Sequence, residues 1–329
     1  MITLTRRNVI GSAATLAAAA GLAPIAGRGV AYAADPVRWA SLTPGFTVLV
    51  TEYIRYHKLD EKNGFKLAEP INYTSVPTYY ADFVAGNYDV CIGSWDTFAT
   101  RYLSGVPIRL LCNISTAQMI NIMAPKGGAK TVEELRGKTL AAPQSTGTYR
   151  MVRAVVQDVL GVDVEKDMKV QNVTNPATSV TLLRARSVEG ALSWEPNITN
   201  VMKDDPDLHV IFNAGEAYKT KYGQDLPYFG VGVTASLLGK DAKLAERLNG
   251  VFKDCIEGLL ADVPGAVKIV GERTGFSPAV LQEAISSRRL SFKFSSMRDE
   301  AGRQSVLAAS KFLAAHKLLS SVPDEKMFA

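Results

Sequence analysis

The stretch Lys138-Thr139-Leu140-Ala141-Ala142-Pro143-Gln144-Ser145-Thr146-Gly147-Thr148-Tyr149 runs from an apolar strand pattern through a hydroxyl-rich turn into a helical pattern that ends at Leu160-Gly161. Lys138 to Ala142 reads as a strand, and Thr148 to Leu160 as a long helix stopped by Gly161. A strand feeding a helix in this way is the unit of an α/β fold with a mainly parallel sheet. One helix cap needs one hydroxyl. Ser145-Thr146-Gly147-Thr148 supplies three and a glycine, enough to hold a small oxyanion by hydroxyls and backbone N–H groups without a buried cation.

The same alternation extends outward on both sides, from Val37 to about Val210. On the N-terminal side, Val37 to Leu42 reads as a strand. Phe46 to His57 follows as a helix with Phe46, Leu49, Val50, Tyr53, Ile54 and His57 on one face. Val76 to Ala85 is a helix closed by Gly86, Tyr88 to Gly93 a strand, Asp96 to Leu103 a helix and Ile108 to Asn113 a strand. The chain then crosses to a second α/β lobe, where Thr131-Val132-Glu133-Glu134 offers a capping box for a short helix. Beyond the central unit, Pro176 to Arg186 reads as helix, Val188 to Ser193 as strand, and Pro196 to Met202 as a helix with proline in its first turn. Phe229 to Thr234 is a return strand. Helices over Lys240–Leu260, Pro264–Gly271, Pro278–Ser286 and Asp299–Leu319 make a helical C-terminal region.

Ligands of open α/β sheets bind beyond the carboxyl ends of strands, at helix N-termini. Four joints carry suitable chemistry: Thr43-Pro44-Gly45-Phe46, Ser94-Trp95-Asp96, Ser145-Thr146-Gly147-Thr148-Tyr149 and Ser193-Trp194-Glu195-Pro196. Any one alone also reads as simple capping. Their recurrence at one structural position, twice with a tryptophan whose face is costly to leave in water, points to a shared cleft. The candidate ligand-binding residues are Thr43, Gly45, Phe46, Ser94, Trp95, Ser145, Thr146, Thr148, Tyr149, Trp194 and Glu195. Trp95 and Trp194 are expected to pack on an apolar ligand body, and Phe46 and Tyr149 on a ring. Ser145, Thr146 and Thr148 would hold an anionic group. Glu195 would accept hydrogen bonds from a ligand donor such as an amine, or serve only as a helix-start carboxylate.

Three stretches bear a family resemblance: Leu135 to Ser145, Gly86-Asn87-Tyr88-Asp89-Val90-Cys91-Ile92-Gly93-Ser94, and Gly190-Ala191-Leu192-Ser193-Trp194-Glu195-Pro196. Together, over roughly residues 37 to 240, the chain resembles the solute-binding proteins of nitrate, sulfonate and taurine ABC importers, whose relatives carry thiamine-precursor pyrimidines. The resemblance implies a type II periplasmic binding protein, with two α/β lobes joined by a hinge and the four joints facing the cleft. The expected division is residues 34–115 with 226–329 for one lobe and 116–225 for the other. It further implies capture of a small sulfonate- or taurine-like solute and its delivery to an inner-membrane ABC permease by a monomer. An aromatic or pyrimidine-type solute is the alternative. Pyrimidine-synthesising relatives carry a cysteine-rich motif that this chain lacks, which argues against that activity.

Thr5-Arg6-Arg7-Asn8-Val9-Ile10, a weakly apolar run to Ala26 and Ala31-Tyr32-Ala33 resemble a twin-arginine export signal cleaved after about Ala33. No cysteine follows for lipid attachment, so the expected product is a free periplasmic protein of a two-membrane bacterium. That compartment offers no pool of ATP, NADH or coenzyme A. The whole sequence has 37 Lys and Arg against 32 Asp and Glu, and residues 1–33 hold Arg6, Arg7 and Arg28 with no acid. A mature balance of 34 against 32, scattered along the chain, is no footprint for nucleic acid. The remaining 296 residues suffice for two cores.

Cofactor and enzyme motifs are not met. Gly137-Lys138-Thr139 lacks the glycine five places earlier that a phosphate loop needs, where Val132 stands. Gly230-x-Gly232-x-x-Ala235 fits a loose dinucleotide pattern but alternates with valine as a strand does. No Gly-x-Ser-x-Gly elbow is present, and His57, His209 and His316 lack zinc-site spacing. No cofactor or metal is expected. An exported hydrolase on the same fold stays open, because acids distant in the chain can meet in a cleft. Cys91, Cys112 and Cys255 read as buried thiols, with a Cys91–Cys112 bridge open if their strands are neighbours in an oxidising compartment.

Overall fold

In the computed structural model, residues 35–329 are described, and the expected export signal lies outside them. The strands are β1 (Trp39–Leu42), β2 (Ile71–Tyr73), β3 (Val90–Ser94), β4 (Ile108–Ser115), β5 (Ile120–Pro125), β6 (Thr139–Ala142), β7 (Lys169–Asn172), β8 (Gly190–Trp194), β9 (Leu208–Asn213), β10 (Phe229–Thr234) and β11 (Phe292–Ser296). We number the helices of eight or more residues α1 (Phe46–His57), α2 (Val76–Val84), α3 (Trp95–Leu103), α4 (Gly147–Leu160), α5 (Pro176–Arg184), α6 (Asn197–Asp204), α7 (Ala214–Tyr222), α8 (Leu244–Ala261), α9 (Val263–Val270), α10 (Pro278–Ser286) and α11 (Glu300–Ala315).

Two mixed sheets form, in the orders β11-β4-β10-β3-β1-β2 and β7-β6-β8-β5-β9. In the first, β1 pairs parallel with β2 and β3; in the second, β6 pairs parallel with β7 and β8. Helices on the faces of these βα units carry the parallel connections. Besides the edge strand β11, antiparallel to β4, the reversed strands are β10, antiparallel to β3 and β4, and β5, antiparallel to β8 and β9; these last two lie inside their sheets. β10 and β5 each reach their sheet directly from a crossing between the two sheets, and so run against the strands they join.

The two crossings lie side by side. Ala117 N donates to Leu226 O at 2.8 Å, Tyr228 N donates to Ser115 O at 3.0 Å, and Thr116 bridges Pro227 in antiparallel fashion. The main buried apolar cluster runs through both sheets, from Trp39 and Val90 to Leu140 and Leu192. A smaller cluster of Met123, Ala141, Val180, Leu183 and Ile198 fills the α5–α6 face of the second sheet. Of the C-terminal helices, α8 packs on β4 and β11, α10 on α6 and α11 on α4, and β11 is added at the first sheet's edge.

Several helix ends follow the local chemistry read from the sequence. Gly161 takes a left-handed conformation at φ 64° and ends α4. Thr146, Asn175 and Ser277 accept hydrogen bonds from the backbone of the first turns of α4, α5 and α10. The expected capping box at Thr131 does not form. A short 3₁₀ turn at Glu133–Leu135 takes its place, and Glu134 accepts from Lys130 N at 2.8 Å. The helix expected from Pro196 begins at Asn197, with Pro196 in the cap position.

The cysteines are free. Cys91 lies on β3 and Cys112 on β4, but β10 runs between them and pairs with both. The expectation that these strands could be neighbours is corrected by that insertion. Burial pushes the Cys91 thiol up to about 12.

Gly230 and Gly232 on β10 serve packing. A Cβ at Gly230 would lie 2.7 Å from both Asn113 Oδ1 and Cys112 O, and one at Gly232 would lie 2.8 Å from the Phe98 ring. Gly230→Ala therefore forces a central strand away from β4, with an expected loss of about 1–3 kcal/mol of unfolding free energy in urea titration. Wild-type stability in that variant would contradict the packing.

Candidate functional site

The carboxyl ends of β1, β2, β6, β7 and β8 lead into α1, α2, α4, α5 and α6, and a cleft opens where the first four of these joints meet the end of β8. Its larger part, about 430 Å³, is walled by Phe46, Phe229 and Trp194, with Thr43, Thr47 and Asn175 among its polar groups. A smaller recess of about 230 Å³ shares Leu42, Val76, Trp194 and Phe229 with it and continues past Ser94, Thr146 and Thr148 to Tyr228. Phe46 and Phe229 meet edge to face at 4.8 Å between ring centroids, so each fixes the other's plane. Among the described residues, none that lines either part carries a charge. Polarity there comes from hydroxyls, amides and helix starts; Gly45 leaves the start of α1 without a side-chain cap.

Of the residues expected to face a ligand, Thr43, Gly45, Phe46 and Trp194 line the larger part. Ser94, Thr146 and Thr148 line the recess, with Trp194 common to both. Trp95, Ser145, Tyr149 and Glu195 line neither. Trp95 is wholly buried and donates from Nε1 to Pro227 O at 2.8 Å, so its indole braces a crossing. Ser145 is exposed. Tyr149 turns toward Glu165 at 3.3 Å and Arg153, and burial pushes its phenol up to about 12.

The hydroxyls in the recess are already engaged. Thr148 Oγ1 bonds the Tyr228 hydroxyl, and Thr146 Oγ1 donates to Pro143 O at 2.7 Å while accepting from Tyr149 N at 3.3 Å. Ser94 Oγ donates to Asp96, which is fully buried and takes Arg150 Nε at 2.7 Å. Glu195 is likewise fully buried. It accepts from Thr199 N at 3.1 Å, from Thr199 Oγ1 at 3.0 Å and from Arg289 Nε at 3.0 Å. The carboxylate expected to meet a ligand amine is thus occupied by protein groups.

Sequence reasoning passed over two joints that the cleft uses. Thr74 and Val76 follow β2, and Asn175, Pro176 and Ala177 follow β7. Both strands are short and mostly exposed, and lack the apolar run by which strands are read. The available signal was a cap followed by proline, Ser75-Val76-Pro77 and Asn175-Pro176, at helix starts the sequence already showed. Among the described residues no three His, Cys, Asp or Glu side chains come together as a metal-binding group.

With this geometry in view, residues 65–226 match the family model described as NMT1/THI5 like. That stretch of the chain is similar to the NMT1/THI5-like family. The match runs from just before β2 to the second crossing and so includes every strand of the second sheet. No curated protein sequence gives a significant match. Among solved structures, the chain is similar to the alkanesulfonate-binding protein SsuA of Xanthomonas axonopodis pv. citri, solved with MOPS bound: TM-score 0.70, 16% identity, covering 89% of this chain and 96% of that one. It is similar to the periplasmic aliphatic sulphonate-binding protein SsuA of Escherichia coli, at TM-score 0.70 and 12% identity over 89% and 92% of the two chains. The Candida albicans CA3427 product, described as having the generic periplasmic binding protein fold, matches at TM-score 0.66 and 13% identity over 89% and 94%. The matched stretch therefore sits within a periplasmic binding protein fold.

Burial raises the Glu195 carboxyl above its ordinary value of 4.5, against the opposing pull of Thr199 and Arg289. A carboxyl whose folded value is raised contributes fully below the unfolded value, and that stability is lost as pH rises through the folded one. Unfolding free energy, measured in urea at a series of pH values, is expected to lose a component as pH rises from about 4.5. Glu195→Gln removes that component. Identical pH profiles in the two proteins would refute the assignment.

Proposed function

We propose that the protein is the periplasmic solute-binding component of an ABC importer, and that it takes a small organic anion of sulfonate type into the cleft. Residues 34–115 with 226–329 would form one lobe and 116–225 the other, swinging about the paired crossings. The observation that carries this reading is the convergence of helix starts from both sheets on one apolar cleft without a charged side chain. Helix N-termini, with the hydroxyls of Thr43 and Thr74, stabilise an anion by oriented dipoles. Trp194, Phe46 and Phe229 cover its apolar body. The sulfonate-binding proteins of similar fold support the same class.

The engagement of Glu195 changes the preferred solute. Its carboxylate was the reason to favour an amine such as that of taurine, and it faces Thr199 and Arg289. An alkane- or arylsulfonate without an amine fits the lining better. A flat aromatic or pyrimidine-type solute is the second reading, favoured by the three aromatic walls. No carboxylate among the described lining residues is placed for general acid–base hydrolysis, which disfavours the enzyme reading. The twin-arginine signal and the permease partner belong to this proposal as well.

A thermal-shift series with alkanesulfonates, arylsulfonates, taurine, nitrate and pyrimidines tests it, since a ligand that binds only the native state raises its apparent stability. Sulfonates lacking an amine are expected to stabilise most. Trp194→Ala is expected to weaken the best of them by about tenfold or more in calorimetry, through loss of a stacking face. No stabilisation by any member, or unchanged affinity in Trp194→Ala, would remove the cleft assignment.

A further inference from the structure

The two sheets repeat one short motif at one place. Ser94-Trp95-Asp96 spans the carboxyl end of β3 and Ser193-Trp194-Glu195 the carboxyl end of β8. Each of these strands lies between the reversed strand that follows a crossing and its sheet's first parallel strand, β10 and β1 for β3, β5 and β6 for β8. In both, the acid is completely buried. In both, an arginine from the opposite part of the chain reaches it. Arg150, on α4, donates from Nε to Asp96 at 2.7 Å and from Nη2 to Thr97 Oγ1 at 2.9 Å. Arg289, just after α10, donates from Nε to Glu195 at 3.0 Å and from Nη2 to Thr199 Oγ1 at 3.0 Å. The direction of reach is reciprocal: the second sheet's helix serves the first sheet's acid, and the C-terminal region, which adds β11 to the first sheet, serves the second sheet's acid.

Contact at the first pair is close enough to define a register. A Cβ at Gly147, the first residue of α4, would lie 1.9 Å from Asp96 Oδ1 and 2.3 Å from Ser94 Oγ. The start of α4, which the sequence offers as an anion site, is met by the protein's own carboxylate. None of Asp96, Arg150, Glu195 and Arg289 lines the cleft.

We propose that Asp96–Arg150 and Glu195–Arg289 are reciprocal register locks, which permit one closed arrangement of the two lobes and so set solute affinity through residues that do not touch the solute. This rests on the binding reading of the cleft. A buried ion pair adds little net stability, because desolvation offsets attraction. Removal of one partner strands a charge in the interior, and separating the lobes then returns that charge to water. Each lock makes closure conditional on both partners. Arg150 and Arg289 are thus positioning residues.

The test compares single and paired neutralisation. Arg150→Gln is expected to raise the radius of gyration of the solute-free protein in small-angle X-ray scattering. It should also weaken binding of the best sulfonate by about tenfold or more, since apparent affinity scales with the closed fraction. Asp96→Asn/Arg150→Gln, which strands no charge, should recover both values. Arg289→Gln and Glu195→Gln/Arg289→Gln repeat the comparison at the second lock, and decide it if Arg150→Gln does not fold. Wild-type scattering and affinity in the single variant overturn the proposal, as does a double variant no better than the single. Affinity loss with unchanged scattering would put Arg150 in the cleft chemistry and overturns it too. Scattering needs no solute, so a rescued change of radius without any bound sulfonate would retain the locks and remove the proposed function.

Discussion

The antiparallel pairing of the two crossings is the constraint on which the rest of the structure depends. Ser115 to Ala117 and Leu226 to Tyr228 are hydrogen-bonded to one another, so the chain leaves and re-enters the first sheet at a single place. Each crossing then delivers a reversed strand, β5 or β10, into the sheet it reaches. That geometry turns the carboxyl ends of both sets of parallel strands toward a common space, and helix N-termini follow them there. Trp95 shows how firmly this junction is built: its indole sits in the core and donates to Pro227, beside the pairing itself.

Charge is sorted by the same architecture. The cleft walls are aromatic and aliphatic with hydroxyl and amide groups, while the buried acids next to them are consumed by Arg150 and Arg289. A cleft of this kind offers an anion oriented dipoles without a fixed cation, and offers an ammonium group no carboxylate. The similarity to sulfonate-binding proteins at 12–16% identity speaks for the fold. The proposed preference among solutes rests on the chain's own lining residues.

Local signals were legible where one residue dictates one backbone event. The helix at Phe46–His57 is bounded as its apolar period indicates, and Pro278–Ser286 has a capping serine and a proline in its first turn. Gly161 ends α4 because a left-handed residue is needed there. Signals failed where a neighbouring backbone group competes for the same side chain, or where the outcome depends on distant chain. Thr131 has the spacing of a capping box, yet Glu134 finds Lys130 N instead. The short edge strands β2 and β7 carry no apolar run, since their side chains are largely exposed, and with them the joints at Thr74 and Asn175 went unread.

From its own residues the sequence determined the alternation of strands and helices, the capped helix starts and the recurring joints that could meet a ligand. These depend on neighbours within one turn or one strand, where backbone sterics and hydrogen-bond geometry decide. Tertiary structure alone decided which joints share a cleft and what each side chain faces there. Trp194 and Trp95 stand in the same local motif, but one lines the cleft and the other braces a crossing. Glu195 and Asp96 could each have met a solute until Arg289 and Arg150 arrived from far along the chain. A buried charge takes whichever partner the fold brings within reach, and spacing along the chain does not encode that distance.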